Sequence, residues 1–229
     1  MKLPRPAYWG KLPAYGDFLR HGAPLEIQDA WRAWLAGPLA RARVASTSAT
    51  DQGVPWGFVM TPGCMAFSRD RYVAGIYADS CDKFGREHPF LMWFQLDSAG
   101  VSALLSVHDN ALFHLSRLLL GHLKAPSVSA AEGLLAQINR LWRPQGRGVW
   151  SALRGSRDGP DFLLARAWTD GLRSDKEAAG LVGIPYSPWR DWPVTVFGDS
   201  VQAWYWQQDG QAGYVSFLSV GPEALAGGD

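Results

Sequence analysis

In the segment PLEIQDAWRAWLAGPLARA, apolar residues recur at three- and four-residue spacing: Ile27, Trp31, Trp34, Leu35 and Leu39. The spacing predicts an amphipathic helix with Pro24 near its first turn. Gly37-Pro38 is expected to break or kink it, because proline supplies no backbone N–H. Residues 45–53, ASTSATDQG, are small and polar and read as a loop, with no second domain starting there. Three runs follow, PWGFVMTPG, RYVAGIYADSCD and HPFLMWFQL, rich in aromatic and β-branched residues and separated by turn formers. They predict three strands, the third central because nearly all of its side chains are apolar.

Leu104, Leu105, Leu112, Leu115, Leu119 and Leu123 predict a helix over 102–124. Ser129 and Glu132 form a capping box for a second helix through Leu134, Leu135, Ile138, Leu141 and Trp142, closed by Pro144. Near the end, VQAWYWQQ and AGYVSFLSV flank Asp209-Gly210 and predict a hairpin, with PVTVF as its third partner. No internal repeat appears. Strands, then helices, then strands imply an α+β fold over residues 1–229: a single compact domain with a mostly antiparallel sheet, covered by helices on one face.

Composition narrows the function. The chain has 229 residues with 22 basic and 21 acidic side chains, a formal charge of +1, so no strong field draws it to nucleic acid or an anionic membrane. The start, MKLPRPAYWG, has no apolar run of signal-peptide length, and no segment is long and apolar enough to span a bilayer. A cytoplasmic protein is expected, with Cys64 and Cys81 as reduced thiols. Twelve tryptophans fit either a heavy core or an adhesive surface.

No set of catalytic residues stands out. Gly10-Lys11 lacks the upstream glycine and following hydroxyl of a phosphate loop, since Arg5 and Leu12 occupy those places. Gly198-Asp199-Ser200 is similar to the serine block of one esterase class, which makes a hydrolase using Ser200 with His108 or His114 the rival reading. An ordinary turn explains the same letters. His108, His114 and His122 are spaced by six and eight, wrong for two ligands on one helix face, and His88 reads as a strand-end residue. Asp79 with Asp82, and Asp158 with Asp161, read as turn caps. The arginines at 140, 143, 147, 154 and 157, interleaved with Trp142 and Trp150, read as a solvated face or a contact for an acidic protein. No cofactor or metal is expected.

The stretch YWGKLPAYGDFLRHG holds Gly10, Gly16 and Gly22 around short apolar pieces, as an edge strand bending back before the helix requires. Its charges, Lys11, Asp17 and Arg20, read as either a local ion-pair set or an exposed recognition surface; an exposed pair contributes only about 0–1 kcal/mol, so stability alone is a weak reason for them. WGKLPAYGDFLRHGAP, WRAWL, GFVMTPG and DKFGREHPF together resemble the N-terminal signature blocks of the TagF family, accessory proteins of bacterial type VI secretion. The resemblance covers most of residues 8–95. It implies a compact α/β sheet-and-helix domain in a cytoplasmic, non-enzymatic protein that represses secretion after translation, in some relatives through the forkhead-associated scaffold Fha. Relatives often carry arginine before Gly-Asp-Phe, where this chain has Tyr15. Lys11, Asp17 and Arg86 are the expected recognition or loop-ordering residues, and Trp9, Trp31 and Trp34 are expected to be structural.

Overall fold

The computed structural model describes residues 4–39, 55–104, 111–124, 134–135, 196–208 and 214–221. Its strands are β1 (Ala7–Gly10), β2 (Leu19–His21), β3 (Trp56–Met60), β4 (Tyr72–Ala78), β5 (Phe90–Leu96), β6 (Ala203–Gln208) and β7 (Tyr214–Val220). Its α-helices are α1 (Leu25–Trp34), α2 (Ser98–Leu104) and α3 (Ala111–Lys124). All seven strands join one sheet in the order β2-β1-β5-β4-β3-β6-β7, and every neighbouring pair is antiparallel. The α+β expectation holds for these residues. The middle strand is β4, with β5 one place away from it.

Helices cover both faces of this sheet, where one covered face was expected. Period-2 alternation sends Tyr72, Ala74, Ile76, Phe90, Met92 and Phe94 to one side, against Leu104, Leu112, Leu115 and Leu119. Val73, Tyr77, Leu91 and Trp93 point to the other side, against Trp31 and Trp34 of α1. Every residue of β3 and β4 is buried. A strand wetted on one face would alternate apolar and polar residues; an unbroken apolar run needs cover on both faces.

Local chemistry explains the helix ends. The Pro24 carbonyl accepts from the Ile27 and Gln28 amides, and the Gln28 side chain reaches back to the Ala23 carbonyl at 2.8 Å. Around Gly37-Pro38 the α-helix has ended, at Trp34, and a π-helical turn, Leu35–Leu39, follows it directly. The helix expected over 102–124 is seen at its two ends, as α2 and α3, with 105–110 outside the described residues; α2 begins earlier, at Ser98, where the Asp97 carboxylate accepts the Gly100 amide at 2.7 Å.

The two terminal strands pair as expected, β6 with β7, and the Asp209-Gly210 turn expected between them lies outside the described residues. Their third partner is β3, and Val196 and Phe197 of PVTVF lie in the turn before β6. Of the helix expected after 129, only Leu134 and Leu135 are described, and they are helical. Residues 140–157, Asp158 and Asp161 lie outside the described residues.

Candidate interaction site

Strand pairing decides which loops meet. Because β1 runs antiparallel to β5, the residues leaving β1 lie beside those arriving at β5, and the β4–β5 loop folds over both. Gly10 stands at this crossing with φ +143; a Cβ there would sit 2.1 Å from the Pro89 carbonyl oxygen, so only glycine fits. The first and last TagF-like blocks, far apart in sequence, thereby become one structure.

Asp82 is its centre. Its carboxylate is buried and accepts the Phe84 and Arg86 amides at 2.9 and 3.0 Å, in the turn-capping role expected of it. It also meets the Lys11 ammonium at 3.1 Å and the Arg86 Nε at 2.7 Å. Burial alone would raise its pKa, but the hydrogen bonds from Arg86, Lys11 and Phe84 outweigh this and hold it well below the usual carboxylate range. Gly85, at φ +79, closes the turn. The loops are stitched further by Arg86 donating to the Gly16 carbonyl at 2.8 Å, Lys83 N–H to the Tyr15 carbonyl at 2.9 Å, and the Ser80 hydroxyl to the Lys11 carbonyl at 2.7 Å.

Beside this knot, His88 stands edge-on to both Trp9 and Phe18, at 4.5 and 4.6 Å between ring centroids, and Trp9 and Phe18 stack at 5.7 Å. Burial lowers the His88 pKa; the hydrogen bond to the Pro89 carbonyl opposes that shift, and the charges of Lys11 and Arg32 add to it. The net shift favours the neutral ring. Lys11 lies over the Phe18 face at 5.1 Å.

The three expected recognition residues have different fates. Lys11 is buried, its charge spent on Asp82 and the Arg86 carbonyl. Arg86 is both a tie and a surface group, its side chain 61% exposed. Asp17 is exposed and accepts the amide of Phe18 at 2.7 Å. Tyr15 lies half-buried against the core on the α3 side. Trp9, Trp31 and Trp34 are all buried, in the structural role expected of them.

Among the groups singled out for chemistry, Lys11 and Asp82 are paired with each other. Lys11 faces a carboxylate where a phosphate loop would present its lysine to an anion. Ser200 sits in an exposed turn, and its carbonyl accepts the Thr61 hydroxyl at 2.9 Å. His108 lies outside the described residues, and His114 falls on α3. An open cleft of about 690 Å3 lies between Pro13, Cys81, His88 and Leu123. On its wall the Ser80 hydroxyl and the His88 imidazole are engaged by backbone carbonyls. Cys64 and Cys81 are free thiols. Among the described residues no group of three or more His, Cys, Asp or Glu side chains could hold a metal, and no helix is long and apolar enough to cross a membrane.

A family model, the TagF N-terminal domain, type VI secretion system-associated, matches residues 7–140, more than half of the chain and both halves of the knot. The chain belongs to this family. Its structure is also similar to the crystal structure of PA0076 from Pseudomonas aeruginosa PAO1, at 18% identity and a TM-score of 0.48, over 93% of this chain and 87% of that one. That likeness is too loose to carry an argument. No curated protein matches the chain.

Sequence reading assigned Asp82 a cap and missed its role as a hub. The cap is local, whereas Lys11 arrives through the β1–β5 pairing. Phe84 was missed too, although an aromatic residue inside an Asp-x-x-Gly turn has little room to bury itself and was a usable signal.

Proposed function

We propose that this type VI secretion-associated protein is a cytoplasmic, non-enzymatic negative regulator, acting after translation by binding a component of the apparatus, with the forkhead-associated scaffold Fha as the first partner to test. The observation that carries this reading is the convergence of two TagF signature blocks on Asp82. Their charged side chains order a pair of surface loops. Asp17 and Arg86 make the partner contact, while Lys11 acts indirectly by fixing the loops that display them. The chain works as one module over residues 1–229.

The test is charge reversal at the exposed positions. Asp17→Lys and Arg86→Glu, with Arg86→Ala as the milder variant, are measured for folding by circular dichroism, for co-precipitation of secretion components including Fha, and for repression of secretion on overexpression. Folded variants that have lost capture and repression support the reading. Folded variants that bind and repress like the parent place the contact elsewhere, and a parent protein that neither captures a secretion component nor changes secretion overturns it.

A further inference from the structure

Phe84 is the most exposed large apolar side chain among the described residues, at 67%. It sits in the best-tied loop of the site. Its own amide donates to Asp82, the next residue has the left-handed φ that fixes the turn, and the Cys81–Glu87 bridge closes the loop behind it. Burying the ring inward would have removed an aromatic face from water, yet the loop is built to hold it out.

The ring also has a prepared floor. A Cβ on Gly16 would come 2.8 Å from the Lys83 side chain and 3.1 Å from the Phe84 ring, so the bare glycine lets both lie on the β1–β2 loop. Two cations flank the ring, the Lys83 ammonium at 4.9 Å and the Arg86 guanidinium at 5.3 Å from its centroid. Asp82, which pairs with Arg86, is buried beneath, so the two cations stand against an exposed ring, while Asp17 and Glu87 are the exposed carboxylates of the same two loops.

From this geometry we propose that Phe84 is the anchor of the docking surface and that its occupant is an apolar pocket rimmed by carboxylates on a partner protein. The inference rests on the interaction reading above and adds the anchor and the partner's chemistry. An aromatic side chain fixed before binding loses little conformational freedom on association, and rim cations facing carboxylates set orientation and encounter rate. Lys83 contributes through the rim alone, because no ion pair within the described residues uses it.

The experiment uses the full chain in its native cell, with a photo-crosslinking phenylalanine derivative at position 84 and the variants Phe84→Ala, Lys83→Glu and Lys83→Arg. The expected result is one crosslinked secretion component, joined at a segment that carries Asp or Glu beside apolar residues. Phe84→Ala should weaken binding to that component at least tenfold with an unchanged circular dichroism spectrum. Lys83→Glu should weaken it less, Lys83→Arg should bind like the parent, and replacing the partner's crosslinked carboxylate by lysine should restore binding to Lys83→Glu. A crosslink to a second copy of this chain, or to a segment without carboxylates, overturns the proposal. So does parental binding by Phe84→Ala; if Asp17→Lys and Arg86→Glu still abolish repression, the interaction reading survives and only the anchor is wrong.

Discussion

The two faces of the sheet are closed by different side chains. On one, α1 lays Trp31 and Trp34 against Trp9, Phe58, Trp93 and Tyr205; on the other, α2 and α3 supply Val101, Leu104, Leu112, Leu115 and Leu119. Leucines need only volume, but each indole brings an N–H that must be placed. Trp34 donates to the Tyr205 hydroxyl, while the buried Trp31 and Trp93 N–H groups have no hydrogen-bond partner among the described residues. The α1 face is therefore the more geometrically demanding of the two.

Truncation separates the faces most strongly. Trp31→Ala is expected to destabilise by ~3–5 kcal/mol, since the buried ring packs edge-on against Phe58 and tilted against Trp93, and urea unfolding reads it. Leu119→Ala should cost ~2–5 kcal/mol, toward the lower end if the leucine layer collapses into the gap. Equal losses at the two positions, or a greater loss at Leu119, would break the comparison. Removing one oxygen sharpens it: Tyr205→Phe leaves the Trp34 N–H unpaired and should cost about 1–3 kcal/mol with no change in volume. Leu119→Met, which keeps the volume, should cost less than about 1.5 kcal/mol.

The smallest effect divides packing from the polar loop end. His88 is held below its ordinary pKa, so the unfolded chain binds a proton more readily; the stability involved is complete above pH ~6.5 and is lost as pH falls through the lower folded value. Asp82 follows the same sign on the acid side, its contribution complete above pH ~4 and lost below. Unfolding midpoints measured from pH 8 to 3 should decline in these two windows. His88→Phe should flatten part of the upper one, to which His21 and His122, whose pKa values burial also lowers, contribute as well.

The strands at 56–60, 72–78 and 90–96 were legible because alternation and apolar content are local properties. The number of covered faces was misread for a specific reason: in β4 both alternating sets, Tyr72-Ala74-Ile76 and Val73-Tyr77, are apolar, and each set reports on its own side. At the site, the turn around Asp82 was visible in its Asp-x-x-Gly letters. Its distant partner was not, because Lys11 is far from Asp82 along the chain and reaches it only through the pairing of β1 with β5.

The sequence by itself determined the strands at 56–60, 72–78 and 90–96, the family and a net charge near zero, since these follow from short-range periodicity, local motif letters and a count of charges. Only the tertiary structure decided that Lys11 is buried, that Arg86 ties two loops and that Phe84 faces solvent. Burial and ion pairing depend on which distant backbones the sheet brings side by side, and that order is set by packing both faces at once.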